Sequence, residues 1–156
     1  MSPNPSAFLT MLSASEGTDR APDPYRVCEG YQHTIVDLSD HPTSTGEWMG
    51  NLITVGVYAG EHTTAAGRYQ ITHPTWVRLK AKLNLESFVN SCQDDAGIDL
   101  IKEAGALELV NAGDLEHAIW LCSNVWASLP GSRAGQQIRP MQMLIDAYQG
   151  AGGALA

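Results

Sequence analysis

Basic residues are scarce in this chain. Nine Lys and Arg face 17 Asp and Glu over 156 residues, for a net charge of −8. The few cations are scattered. That excludes the clustered basic footprint of a nucleic-acid binder. It also removes any long-range attraction toward an anionic polymer, so a substrate of that kind must be captured by local contacts. Cysteine is sparse too: Cys28, Cys92 and Cys122 lie far apart in the chain. An odd count excludes a complete disulfide framework, and the spacing fits no compact metal motif. Free, buried thiols are expected. No stretch approaches the roughly 20 apolar residues of a membrane span. Met1–Thr10 has neither a basic leader nor a long apolar run, so the chain is expected to carry no export signal of its own.

Several catalytic signatures are missing as well. There is no HExxH, no GxSxG elbow and no GxxxxGK[ST] phosphate loop. The five histidines, His33, His41, His62, His73 and His117, are dispersed. Asp40-His41 and Glu61-His62 are adjacent pairs in loops, a poor geometry for metal ligands without distant partners. No metal and no cofactor is expected.

What is present reads as one domain, residues 1–156, of ordinary globular composition with 44% hydrophobic residues. Ser6–Ser15 is expected to form a helix with Ser6 as N-cap, an apolar face of Phe8, Leu9 and Leu12, and Gly17 as its stop. Tyr31–Leu38 and the β-branched run Leu52–Tyr58 suggest a small antiparallel sheet. Helices then dominate. One is capped by Thr72 or His73 and lined by Trp76, Leu79 and Leu83. The next runs from Ser91 to Gly105, followed by a short one over Ala106–Val110. Asp114 caps a helix with Leu115, Ala118, Ile119, Cys122, Val125 and Trp126 at helical spacing, and a last helix starts at Pro140. The tail Gly150–Ala156 is expected to fray. Helix, small sheet, then helices is an α+β layout with helix dominant.

Three constellations bear on chemistry. At 100° per residue, Glu16 projects between Phe8 and Leu9, on the apolar side of its helix. It also sits in the last turn, where the helix dipole is negative. Both effects disfavour the carboxylate and favour a carboxylic acid near neutral pH, the form a glycosidase uses to protonate a leaving oxygen. The plain alternative is a surface Glu at a frayed helix end. Gly67-Arg68-Tyr69-Gln70 offers close backbone approach, an aromatic face and a bifunctional amide, and reads equally as a turn before a helix. In Cys122–Gly131, Ser128 and the loop backbone could hold polar groups, while Trp126 falls on a core face.

Together these segments resemble the lambda-type phage endolysins. The stretches are Ala7-Phe8-Leu9 leading to Ser15-Glu16-Gly17-Thr18-Asp19, Gly30-Tyr31, Ser39-Asp40-His41-Pro42, Ala66-Gly67-Arg68-Tyr69-Gln70 and Cys122–Gly131, in the family's order. The resemblance implies a lysozyme-like fold with a two-lobed cleft. It implies lytic transglycosylase activity on the MurNAc–GlcNAc bond of peptidoglycan, with Glu16 catalytic and Tyr69, Gln70, Ser128 and Gly131 contacting saccharide. A monomer would collect in the host cytoplasm and reach the wall once a holin opens the membrane. The alternatives are a true muramidase pairing Glu16 with Asp19, Asp37 or Asp40, a non-catalytic glycan-binding module on the same fold, and a zinc peptidase or amidase. The loop after Gly131 reads Ser-Arg-Ala-Gly-Gln and lacks the aromatic of the family's best-known member.

Overall fold

Pro3 and Gly17 bracket the first helix, α1 (Asn4–Glu16), in the computed structural model, which describes residues 2–135 and 137–156. Met1, at the head of the expected leader-free terminus, and Gln136, the last residue of the loop after Gly131, lie outside the described residues. The helix begins earlier than expected. Pro3 takes the N-cap position and Pro5 sits in the first turn, where its fixed φ suits a helix and its missing N–H is not needed. Ser6 is therefore an exposed residue of the first turn rather than the cap. Nor is α1 one-sided: Ala7, Phe8, Leu9, Met11, Leu12, Ser13, Ala14 and Ser15 are all buried. Each large apolar side chain among them contributes about 1.5–3 kcal/mol through burial.

The chain divides into two compact units, Thr18–Ala96 and the remainder, with the division falling inside α4 (Asn90–Glu103). In the unit that contains α1, the other helices are α5 (Leu107–Ala112), α6 (Leu115–Cys122) and α7 (Met141–Gly150). Here α1 packs on α5 and α7. The C-terminal tail does not fray. Asn4 donates from Nδ2 to the Asn111 carbonyl and accepts the Ala154 N–H at 2.9 Å, and the Ala156 N–H reaches the Gly113 carbonyl. Asp114 occupies the N-cap position of α6 but makes no capping bond; its carboxylate pairs with His117 instead. That helix stops at Cys122, so Val125 and Trp126 lie beyond it.

The unit Thr18–Ala96 holds less regular structure. It contains short 3-10 turns, α2 (Pro42–Thr45), β1 (Asn51–Leu52), β2 (His62–Thr63) and α3 (His73–Leu83). The antiparallel sheet is real but much smaller than expected, with Asn51 opposite Thr63 and Leu52 opposite His62. Val55, Val57 and Tyr58 of the supposed strand stay exposed. Gly56, at φ 86°, turns the chain there, and β-branched composition alone cannot supply a pairing partner. Tyr31–Leu38 likewise forms only an isolated bridge, Val27 with Thr34, because Glu29–Tyr31 closes into a 3-10 turn. The core of this unit centres on Trp76 and Phe88, whose rings meet edge to face at 4.7 Å, with His41 against Phe88 at 5.1 Å. Among the described residues no helix is long and apolar enough to cross a membrane.

Candidate active site

Glu16 is the last residue of α1, as its spacing from Gly17 implied. Gly17 adopts φ 77°, a left-handed conformation that glycine enters without steric cost, and its N–H caps the Ala14 carbonyl. The turn leaves the Glu16 carboxyl half-buried at the negative end of a buried helix. Among the described residues its direct hydrogen bond comes from the Ser128 hydroxyl, which donates to Oε1 at 2.8 Å. Burial pushes the carboxyl up to about 7, against the opposing pull of Ser128 and of the Arg139 guanidinium. A carboxyl that still holds its proton near neutral pH can deliver it to an oxygen and then accept another.

The surroundings of Ser128 are built from three separate stretches of the chain. Ser128 and Ser15 are both buried, with their Oγ atoms 2.6 Å apart. Arg139 donates from Nε to the Ser15 carbonyl at 3.0 Å and from its backbone N–H to the Ser128 carbonyl at 2.8 Å. One residue thus ties the end of α1 to the Ser128 segment. Gly131 follows in the turn after Ser128, at φ 101°. A Cβ there would sit 2.7 Å from the Trp120 ring, so this position excludes any side chain on packing grounds as well as conformational ones. Trp126 is buried, as its core-facing spacing suggested.

Tyr69 and Gln70 belong to the other unit. Tyr69 is wholly buried, and its hydroxyl donates to Asp94 at 2.5 Å while accepting from Arg68. That corrects the expectation of an open aromatic face for a sugar ring: the ring is a core pillar. Gln70 stands at φ 51°, an uncommon left-handed position for a residue with a Cβ. Its amide nitrogen donates to the Val27 and Gly67 carbonyls, which fixes the side chain and directs its role toward the turn. Gly67 does permit the close approach read from the sequence, since a Cβ there would run into the Gln93 amide and Phe88.

Several other titratable groups have structural partners. His41 accepts the Thr43 N–H at Nδ1 and donates from Nε2 to the Ile71 carbonyl, and burial lowers it to about 4. His33 pairs with Glu47, His73 with Ser44, and His117 with Asp114. Among the described residues no group of three or more His, Cys, Asp or Glu side chains could hold a metal ion. The cysteines are free thiols. Cys28 and Cys122 are buried, each pushed up to about 12 chiefly by burial, whereas Cys92 is only half-buried. A shallow pocket of about 360 Å³ lies beside the hairpin, lined by Ile53, His62, Thr63, Thr72 and His73, and holds none of the nominated residues.

Sequence reasoning missed Arg139 and the part played by Ser15. Ser15 stood inside the quoted Ser-Glu-Gly-Thr run, a usable signal. Arg139 had none, because its side chain reaches Ser15, more than a hundred positions away.

A helix-dominated α+β chain with a two-stranded antiparallel sheet and one acid held at a buried helix end defines a lysozyme-like class. Comparison with known proteins narrows that class. The family model for endolysins matches residues 6–155, and the chain belongs to that family. The endolysin of Escherichia phage P2 is 39% identical, with 96% of this chain and 93% of the relative covered. The endolysin of Escherichia phage lambda is 38% identical over 94% of this chain and 90% of its own. Among solved structures, bacteriophage lambda lysozyme complexed with a chitohexasaccharide matches with a TM-score of 0.85 at 36% identity, covering 100% of this chain and 98% of the other. A second structure, lysozyme from bacteriophage lambda, matches at a TM-score of 0.81 and 35% identity. The chain is thus a lysozyme-like endolysin, an enzyme that cleaves peptidoglycan.

Proposed function

We propose that the whole chain acts as one lytic transglycosylase, cutting the MurNAc–GlcNAc bond of peptidoglycan with Glu16 as both acid and base. The observation that carries this reading is the half-buried Glu16 carboxyl, raised to about 7 and held by Ser128. The protonated acid gives its proton to the glycosidic oxygen, and the C1–O bond breaks. The carboxylate so formed takes the proton of the muramoyl C6 hydroxyl, whose oxygen closes on C1. A 1,6-anhydro ring forms, no water is consumed, and Glu16 ends protonated again. The chitohexasaccharide complex of the phage lambda enzyme supports a saccharide substrate for this fold. Ser128 holds the acid, and Gly131 lets the turn that follows it pack directly against Trp120. Gln70 shapes a second backbone turn, and Tyr69 contributes by bracing that turn from the core.

A true muramidase needs a second carboxylate near the bond. Asp40 is committed to Lys80, Trp76 and the His41 N–H, and Asp37 accepts the Ser39 N–H. These engagements support a single-acid mechanism and leave Asp19 as the carboxylate to test. A monomer released to the wall by holin-type permeabilisation of the host membrane fits a family of endolysins.

Mass spectrometry of the muropeptides released from purified peptidoglycan tests the reading. Saccharide ends lighter by one water than the hydrolysed product are expected. Reducing muramic acid ends would make water the nucleophile and the enzyme a hydrolase.

A further inference from the structure

We propose that Ser15 is a positioning residue for Glu16, acting through the Ser128 hydroxyl, with Arg139 clamping the two segments that carry the pair. The proposal rests on Glu16 as the reacting acid, and the argument is one of hydrogen-bond direction.

Ser128 has a single hydroxyl proton. Its Oγ lies 2.8 Å from Glu16 Oε1 and 2.6 Å from Ser15 Oγ. When Glu16 is ionised its carboxylate can only accept, so Ser128 donates to it. The Ser128 proton is then used, and the short contact with Ser15 can be a hydrogen bond only if Ser15 donates. The chain therefore runs one way, from Ser15 to Ser128 to Glu16. A hydroxyl that accepts a hydrogen bond becomes a better donor, so Ser15 strengthens the bond that holds the carboxylate.

The backbone fixes this direction in space. Ser15 is fully buried on α1, one residue before the acid, and cannot turn to water. Arg139 holds the Ser15 carbonyl through Nε and the Ser128 carbonyl through its backbone N–H, so both hydroxyls are carried on a common anchor. Arg139 is the charged group that acts on Glu16; its neighbours in the chain of hydroxyls are neutral. The arrangement sets how readily Glu16 gives up and regains its proton while leaving its second oxygen, Oε2, out of the relay.

Titration of the Glu16 carboxyl by NMR in protein labelled with ¹³C-glutamate reads this directly, with the resonance assigned by its absence in Glu16→Gln. Ser128→Ala removes a hydrogen bond to a charged group and should move the midpoint upward by about one unit. Ser15→Ala should move it upward by about half as much. In the Ser128→Ala background, Ser15→Ala should move it no further, because its route to Glu16 is gone. A merely structural Ser15 would shift neither midpoint or shift both alike, and either result overturns the proposal. Should Ser15→Ala fail to fold, Ser15→Cys, a near-isosteric weak donor, should give a smaller upward shift that also vanishes without Ser128; an unchanged midpoint would be equally fatal. Lysis assays separate this from the parent reading. If Glu16 is not the reacting acid, Glu16→Gln retains activity whatever the titrations show.

Discussion

Two half-buried carboxyls in this chain are driven in opposite directions. Burial is the largest influence on both and raises both. Around Asp40 it is outweighed. The Lys80 ammonium donates to Oδ2 at 2.5 Å, while the Trp76 indole and the His41 N–H both donate to Oδ1 at 2.8 Å, so the group stays below the usual carboxylate range. Around Glu16 it is not. Among the described residues a single hydroxyl donates, Arg139 acts at range on the carboxyl, and the helix presents its negative end. Complete compensation makes Asp40 a structural tie in its core. Incomplete compensation leaves Glu16 able to exchange a proton near neutral pH. The lesson is that the number of donors, more than the degree of burial, decides which carboxyl can do chemistry.

The largest effect expected of pH is on activity. With the acid form needed to protonate the leaving oxygen, kcat/KM should fall about tenfold per pH unit above pH 7, about a hundredfold by pH 9. A flat profile from pH 6 to 9 would break the contrast between the two groups. Next is Asp40→Ala. It strands the buried Trp76 indole N–H and unpairs Lys80, and should cost about 2–3 kcal/mol in urea unfolding near pH 7.

Much of this contrast was legible in the sequence, and some of it was not. The placement of Glu16 at a helix end rests on local spacing and a glycine, and both are short-range features that a sequence displays. The order of helices followed from apolar periodicity for the same reason. Leu52–Tyr58 misled because strand composition says nothing about a partner strand, and only two residues on each side pair. Tyr69 misled because an aromatic beside a glycine turn reads the same whether its ring faces solvent or core. The Ser128 contact to Glu16 spans more than a hundred residues, so it could be suspected only through family resemblance. Arg139 left no local trace at all.

The two carboxyls should also tilt stability with pH in opposite senses. Glu16 binds its proton more tightly in the folded state. The folded chain therefore loses stability as pH rises from about 4.5, the ordinary value for the group, to about 7. Glu16→Gln should remove that penalty. It should be more stable than the parent by about 2 kcal/mol at pH 8, allowing for partial exposure, and no more stable at pH 4. Asp40 works the other way. Its contribution is complete above the ordinary Asp value of 3.8 and is lost as pH falls through its lowered one, so Asp40→Asn should cost less in acid than at neutral pH. Thermal unfolding across pH 3–8 checks both. The smallest effect is that of Lys80→Met. It keeps much of the stem packing and should cost about 1 kcal/mol, less at high salt.

The central claim is that Glu16, and not a better-partnered carboxylate, is the reacting group. The most direct test is lysis of permeabilised cells by Glu16→Gln, with folding and wall binding measured on the same preparation. A folded variant that binds walls but clears cells at least a thousandfold more slowly is predicted. A folded Glu16→Gln that clears them at the parent rate would contradict the account.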